Sequence, residues 1–392
     1  MKVFGIVCLS FAAAALAVSC PQETPGPGLE TPQISDQARF VRDMGVGVNI
    51  GNTFDSLNTG NVAGETGWGN PLVSLGYIQA LKGHGFKTVR LPVSWADYMD
   101  PAMNYAISEN WMARVETVVN WILDEDMYCI LNLHHDGGGT AAGSQKYWIK
   151  KASIDEEAVI DRFAKVWGHI AWRFRNASDR LILESMNEVG FDDLWDRYAN
   201  TGNKAEAYRI FNRLNQTFVD TVRSSGGNNA ARYLLIAGYY TDIVCTLDLR
   251  FKMPDDTIPD RQILSIHYYD PWGFCGGTAT AWGSGADLLT LNNAFARMKK
   301  YFLDKDIPVI LGEYGVDIAT VSNRVTYVKK PEDRANWMLG VTQKCIDNGI
   351  CPAIWDTGMR ANNQGMADLQ RSAPFGMSEN LRYVLDNLEY SR

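Results

Sequence analysis

Tyr128-Cys129-Ile130-Leu131-Asn132-Leu133-His134-His135-Asp136 is a short apolar run that breaks into polar, chemistry-bearing side chains. Bounded by helical patterns, such a run reads as a strand buried on both faces. The flanks supply those patterns: 108–126 and 155–175 are amphipathic at helical spacing, and Ser108 and Asp155 are candidate N-caps. The same unit recurs along the chain. Apolar runs stand at 46–50, 88–92, 128–133, 181–186, 233–237, 263–267, 308–311 and 352–355. Amphipathic stretches at 72–82, 108–126, 155–175, 204–224, 288–304 and 331–348 separate them, and 378–388, opening on Ser378, closes the chain. Gly83, Gly226 and Gly349 mark helix exits. Strand–helix alternation implies parallel βα units, and eight of them close into a single (β/α)8 TIM barrel of the α/β class. The segment 246–261 departs, with two prolines and no helical face, so the fifth helix should be short or missing. A doubly wound nucleotide fold also alternates, but Gly45-Val46-Gly47-Val48-Asn49-Ile50-Gly51 is not a GxGxxG fingerprint and lies within a strand.

In such a barrel the chemistry sits at the C-terminal strand ends. Strand two ends near Arg90, strand three in His134-His135-Asp136, strand four in Asn187-Glu188, strand six in His267-Tyr268-Tyr269, strand seven in Glu313 and strand eight in Trp355. Three of the five histidines therefore fall at strand ends. Any one carboxylate there could be a solvated loop charge or a structural ion pair. Glu184, inside an apolar strand, is of the structural kind and must be paired, with Arg90 the candidate. His84 and His169 lie in helical stretches and read as ordinary. The His-His-Asp run alone could ligate a metal, but no second ligand set has recognisable spacing and HExxH is absent. No GxSxG elbow or Walker loop points to serine hydrolysis or phosphoryl transfer.

The chain has 392 residues, 46% hydrophobic, with a net charge of −8. That composition excludes global disorder and argues against a nucleic-acid partner, which calls for a basic face. Residues 1–20 read as an export signal: Lys2, an apolar run at 3–18, then Leu16-Ala17-Val18-Ser19-Cys20, which resembles a bacterial lipoprotein signal with Cys20 as the lipidated residue. An ordinary cleaved signal ending near Ala17 is the alternative. Residues 21–35, opening Pro21-Gln22-Glu23-Thr24-Pro25-Gly26-Pro27-Gly28, read as a linker, and 36–392 as the barrel domain. A chain so arranged is expected to be exported and lipid-anchored at a bacterial outer membrane or cell surface, otherwise periplasmic or secreted. Beyond Cys8 and Cys20, Cys129, Cys245, Cys275, Cys345 and Cys351 have no metal-ligand spacing. Buried thiols are the default, with a Cys345–Cys351 bridge as the alternative.

The strings Gly51-Asn52-Thr53-Phe54-Asp55, Val89-Arg90-Leu91-Pro92, Asn132-Leu133-His134-His135, Met186-Asn187-Glu188, Ile266-His267-Tyr268-Tyr269 and Gly312-Glu313-Tyr314-Gly315 resemble glycoside hydrolase family 5, above all its endoglucanase and xyloglucanase branch. The resemblance runs from about Asp36 to the C-terminus, in order and spacing. It implies a retaining β-glycosidase with Glu188 as acid/base and Glu313 as nucleophile. Arg90, His134, His135, Asn187, His267, Tyr269 and Trp355 would bind or position substrate. The reaction requires no metal or organic cofactor, a monomer is expected, and the substrate is expected to be a β-1,4-glucan: cellulose-type, mixed-linkage glucan or xyloglucan. An endo-β-mannanase of the same fold, or a non-catalytic glycan-binding lipoprotein, is the alternative.

Retention requires an ionised nucleophile and a protonated acid. Arg90 and the Tyr269 hydroxyl should therefore hold Glu313 low, while burial and the Glu313 charge raise Glu188. Strand neighbours point to opposite faces, so one of His134 and His135 should turn away from substrate, whereas His267 and Tyr269 share a face. Twelve tryptophans are a surplus. Trp68, Trp148, Trp272, Trp282 and Trp355 follow strand ends and should face the cleft, about half of them meeting sugar as flat platforms. Trp111, Trp121, Trp167, Trp172 and Trp337 lie in helical patterns and should pack.

Overall fold

The computed structural model describes residues 35–57, 64–137, 147–191, 204–359 and 365–390. The leader and all of the linker but Ser35 lie outside the described residues. Eight parallel strands close into a barrel: β1 Gly47–Asn49, β2 Thr88–Leu91, β3 Tyr128–Asn132, β4 Leu181–Glu184, β5 Leu234–Asp242, β6 Gln262–Tyr268, β7 Val309–Tyr314 and β8 Cys351–Ile354. Each pairs with the next in sequence, and β8 closes on β1. Helices Leu75–Gly83, Glu109–Asp124, Glu156–Phe174, Lys204–Ser224, Gly285–Tyr301 and Pro331–Asp347 surround it, within a few residues of the periodic stretches. Asp155 and Ser378 cap as anticipated, their side chains accepting the Ala158 and Leu381 N–H groups; Ser108 stands at the N-cap without such a bond. Between β5 and β6 the only helix is the four-residue Ile243–Thr246, so the fifth helix is reduced to one turn. No helix among the described residues is long and apolar enough to cross a membrane.

Two departures matter for the site. The fifth strand runs to Asp242, past its expected end at 237, and its register with β6 shifts between Ala237 and Asp242. Tyr240 and Thr241 take left-handed backbone there, with φ of 55° and 50°. For residues other than glycine that conformation is strained and marks a bulge that re-aims side chains. The second departure is a helix absent from the sequence reading, Asp36–Asp43, capped by Ser35. It brings Val41 and Met44 against Ile130, Ile182, Leu235, Ile263 and Ile310, forming a small core at the N-terminal end of the barrel. Phe40 stacks on Tyr233, with centroids 4.0 Å apart. The larger core lies between strands and outer helices.

Climbing the interior by the two-residue period, Ile130 gives way to Asn132, Ile182 to Glu184, and Ile263 to Ser265 and then His267. The barrel floor is apolar and its upper layers are polar. Cys129, Cys245, Cys275, Cys345 and Cys351 are all free thiols, which removes the Cys345–Cys351 bridge as an option. Four of the five are buried, matching the default reading.

Candidate active site

The hub of the polar layer is Arg90, fully buried at the end of β2. Its Nε donates to Glu184 at 2.7 Å, Nη1 to Glu313 at 2.7 Å and Asn49 at 2.9 Å, and Nη2 to Asn187 at 2.9 Å. One rigid fork thus orients side chains from β1, β4, the segment after β4, and β7. Burial opposes the guanidinium's charge, but Glu184 and Glu313 more than offset it, so Arg90 stays a fixed cation. Glu184 is paired as its position within a strand demanded.

Glu313 and Glu188 face each other across the cavity with carboxylate oxygens within 4.8 Å, and His267 lies between them. Its Nδ1 is 3.0 Å from Glu188 and 3.5 Å from Glu313. Burial pushes His267 down to about 4, so the ring is neutral near pH 7, with Nδ1 facing the carboxyls. Nε2 is buried without a protein partner among the described residues. It lies against Gly312, where a Cβ would come within 3.2 Å of it.

The two glutamates have unequal surroundings. Glu313 also accepts from the Tyr269 hydroxyl at 3.0 Å, and its side chain is 6% exposed. Glu188 has left-handed backbone, φ 47°, and a side chain 17% exposed. Burial lifts Glu188 to about 7, with His135, Arg90 and Lys150 opposing and Glu184 adding to the rise. Glu313 is also raised, by burial first, with His267 and Arg90 pulling it down and Glu188 pushing it up. The expectation that Arg90 and Tyr269 would hold Glu313 below the usual range is thus corrected: enclosure outweighs Arg90 there. Tyr269 is raised well above 10 by burial and by both glutamates, so it remains a hydrogen donor.

A cavity of about 640 Å³ takes in His134, His135, Asn187, Glu188, His267, Tyr269, Glu313 and Trp355, while Arg90 lies beneath it. All nine residues singled out from the sequence therefore converge. His134 and His135 both line it, against the expectation that one turns away; β3 ends at Asn132, so strand alternation no longer governs them. His134 stacks parallel to Trp355 at 5.6 Å, and burial holds it well below its usual range. His135 leans toward Asp55 at 3.9 Å and Trp68 at 5.6 Å. Trp355 fits because a Cβ on Gly51 would come 2.8 Å from the indole. Trp272 joins the cavity, 60% exposed, edge-on to Tyr269. Two other tryptophans expected at the cleft pack instead: Trp148 is buried with Nε1 donating to Asp136 at 2.7 Å, and Trp282 rests on the main core. Trp172, expected to pack, is 61% exposed and stacked under Arg175.

The reading from sequence missed Tyr240, Thr241 and Asp242, which the bulge of β5 carries into the cavity, along with Asp270 and Met366. The polar string after the fifth apolar run was their signal. Asp55, His134 and His135 also bring ligand-type atoms together, as do Glu188, His267 and Glu313. Protein groups already engage these atoms: the Asn52 and Thr53 N–H groups bind Asp55, and a guanidinium at 2.7 Å sits where a cation beside Glu313 would be repelled. The donor sets are those of a hydrogen-bonded site.

Residues 49–360 match the family described as Cellulase (glycosyl hydrolase family 5). Endoglucanase A of Paenibacillus barcinonensis is 35% identical over 350 residues, covering 83% of this chain and 84% of that protein. A xyloglucan-specific endo-beta-1,4-glucanase of Bacteroides ovatus is 34% identical over 338 residues, covering 80% and 64%. The solved structure of a family 5 xyloglucanase from Paenibacillus pabuli, in complex with ligand, superposes with a TM-score of 0.77 at 32% identity, covering 88% of this chain and 98% of that one. On this likeness, and on a barrel of the matching kind, the chain belongs to glycosyl hydrolase family 5 and is an O-glycosyl hydrolase.

Proposed function

We propose that the chain is an endo-acting, retaining β-1,4-glucanase of plant cell-wall glucans, with Glu313 as nucleophile and Glu188 as acid/base. The observation that carries this reading is that two unequal carboxyls bring one oxygen each to within 4.8 Å. Retaining glycosidases hold them roughly 5–5.5 Å apart, and inverting ones roughly 6.5–9.5 Å, to admit a water. Glu188, raised to about 7 and the more exposed, suits a group that must hold a proton and later meet water. Glu313, gripped by Arg90 and Tyr269, suits one that must attack from a fixed position.

In the first step a Glu313 oxygen bonds to the anomeric carbon, the bond to the departing sugar breaks, and the Glu188 proton passes to the departing oxygen. Glu188, now ionised, then removes a proton from water. The water oxygen takes the anomeric carbon and the ester bond to Glu313 breaks, with net retention. Asn187, its amide oxygen held by Arg90, presents its NH2 group to a sugar 2-hydroxyl. His134–Trp355 and Trp272 offer flat walls for successive rings. Glu313→Ala and Glu188→Ala should each cut polysaccharide hydrolysis on the order of 10³-fold or more with the fold intact. A panel of cellulose-type, mixed-linkage, xyloglucan and mannan substrates should yield oligosaccharide ladders from the β-1,4-glucans. Undiminished activity in either variant, or monosaccharide alone, contradicts the reading.

The proposal includes export and lipid attachment through Cys20, supported by the leader's sequence. Cys20→Ser should move the protein from the membrane fraction to the soluble one; a wild-type chain recovered only in the soluble fraction contradicts it.

A further inference from the structure

Glu184 is a carboxylate, fully buried one layer below the cavity, that takes no part in the two chemical steps. Its Oε2 accepts from Arg90 Nε at 2.7 Å and Asn132 Nδ2 at 3.1 Å, and its Oε1 from the Ser265 hydroxyl at 2.6 Å. Asn132 in turn faces Nδ1 of His134 at 3.3 Å. Arg90, held by Glu184 on one edge, uses its other two nitrogens for Glu313, Asn49 and Asn187. One guanidinium therefore serves two anions, one structural and one reactive. A cation paired with Glu313 alone would act on that carboxylate with its full charge and blunt its nucleophilicity; a second anion shares that charge.

We propose that Glu184 is a positioning residue for the hydrolytic reaction, which locks Arg90 in line with Glu313 and Asn187 and, by its charge, keeps the Glu313 carboxylate reactive. The inference rests on the assignment of Glu313 as nucleophile. Its reach extends to the acid: the Glu184 charge favours the protonated form of Glu188 and opposes Arg90, His135 and Lys150, which face Glu188 from other elements. Facing Glu313 are Arg90, His267, Glu188, Tyr269 and His134. All of these persist when Glu184 alone is changed.

Glu184→Gln isolates the charge, because a glutamine can accept from Arg90 and Asn132 with its oxygen and donate to Ser265 with its nitrogen. Steady-state kinetics on an aryl cello-oligosaccharide across pH would read the effect. The variant should lose about tenfold or more in kcat with KM within about twofold, a loss confined to the transition state. Both limbs of its kcat/KM profile should move toward acid, by about one pH unit for the loss of a buried neighbouring charge. Glu184→Asp keeps the charge but shortens the reach, so its limbs should stay near wild type while kcat falls. It also covers the case in which the glutamine variant does not fold. Wild-type kcat in either folded variant overturns the proposal, as does a Glu184→Gln profile whose limbs do not move, the mark of a purely structural role. An inactive wild-type chain would sink the functional assignment itself, whereas an active wild type matched by its Glu184→Gln twin removes Glu184 alone.

Discussion

The two ends of this barrel are made from the same strands and behave as opposites. At the N-terminal end, Ile130, Ile182, Ile263 and Ile310 meet Val41 and Met44 in an apolar plug. Two residues higher, Asn132, Glu184 and Ser265 join Asn49 and Arg90 in a layer just as buried and fully polar. Apolar burial stabilises without directional demands, but a buried charge is tolerated only while every partner is present. The floor can therefore be altered at a cost in stability alone. The upper layer cannot be altered without disturbing the chemistry it supports.

Paired substitutions break that comparison most sharply. Arg90→Met removes the one cation serving Glu184 and Glu313, leaving buried anions uncompensated, at about 3–5 kcal/mol. Ile182→Ala empties a site on the floor, at about 2–5 kcal/mol. The two should unfold at similar denaturant concentrations, yet Arg90→Met should be inactive while Ile182→Ala keeps its kcat per folded molecule. Denaturation curves beside active-site titration check this. An active Arg90→Met variant would show that the polar layer is only structural.

A smaller effect sharpens the contrast through pH. Glu188 titrates at about 7 in the folded chain against an ordinary 4.5, so the folded state binds its proton more tightly than the unfolded state does. The stability this gives is complete below about pH 4.5 and is lost as pH rises through about 7. Glu188→Gln does not titrate. Its melting temperature should match wild type near pH 4.5 and exceed it at pH 8, by on the order of 1–3 kcal/mol of stability. Asp55 and Asp136, both raised to about 6, titrate in both proteins and largely cancel in the difference. His267, lowered to about 4, is neutral in both at pH 8. Glu313 loses the repulsion of Glu188 in the variant, which adds to the difference with the same sign. Equal melting curves at pH 8 would mean that Glu188 carries no burial penalty.

Much of this was legible beforehand because the barrel repeats one local rule. Apolar runs ended in polar residues where strands ended, and the residues at those ends, from Arg90 to Trp355, converge. What escaped had non-local causes. Tyr240 and Thr241 reach the cavity through a bulge whose left-handed backbone no apolar pattern encodes. The helix Asp36–Asp43 matters because it closes the barrel floor, which is tertiary information. Trp148 and Trp282 follow strand ends like Trp272, and only the packing of the loops decides which indole meets the cavity. His134 and His135 lie two and three residues past the end of the strand, where its alternation no longer applies.

In the proposed reaction Glu313 attacks sugar while Glu188 supplies and recovers the proton. A 2-deoxy-2-fluoro cellobioside with an activated aryl leaving group slows the second step more than the first, so intact-protein and peptide mass spectrometry reads the nucleophile directly. One fluoro-cellobiosyl unit per chain should attach to Glu313 and be absent from Glu313→Ala. A label on another residue, or no label while the aryl group is released with inversion, would contradict it.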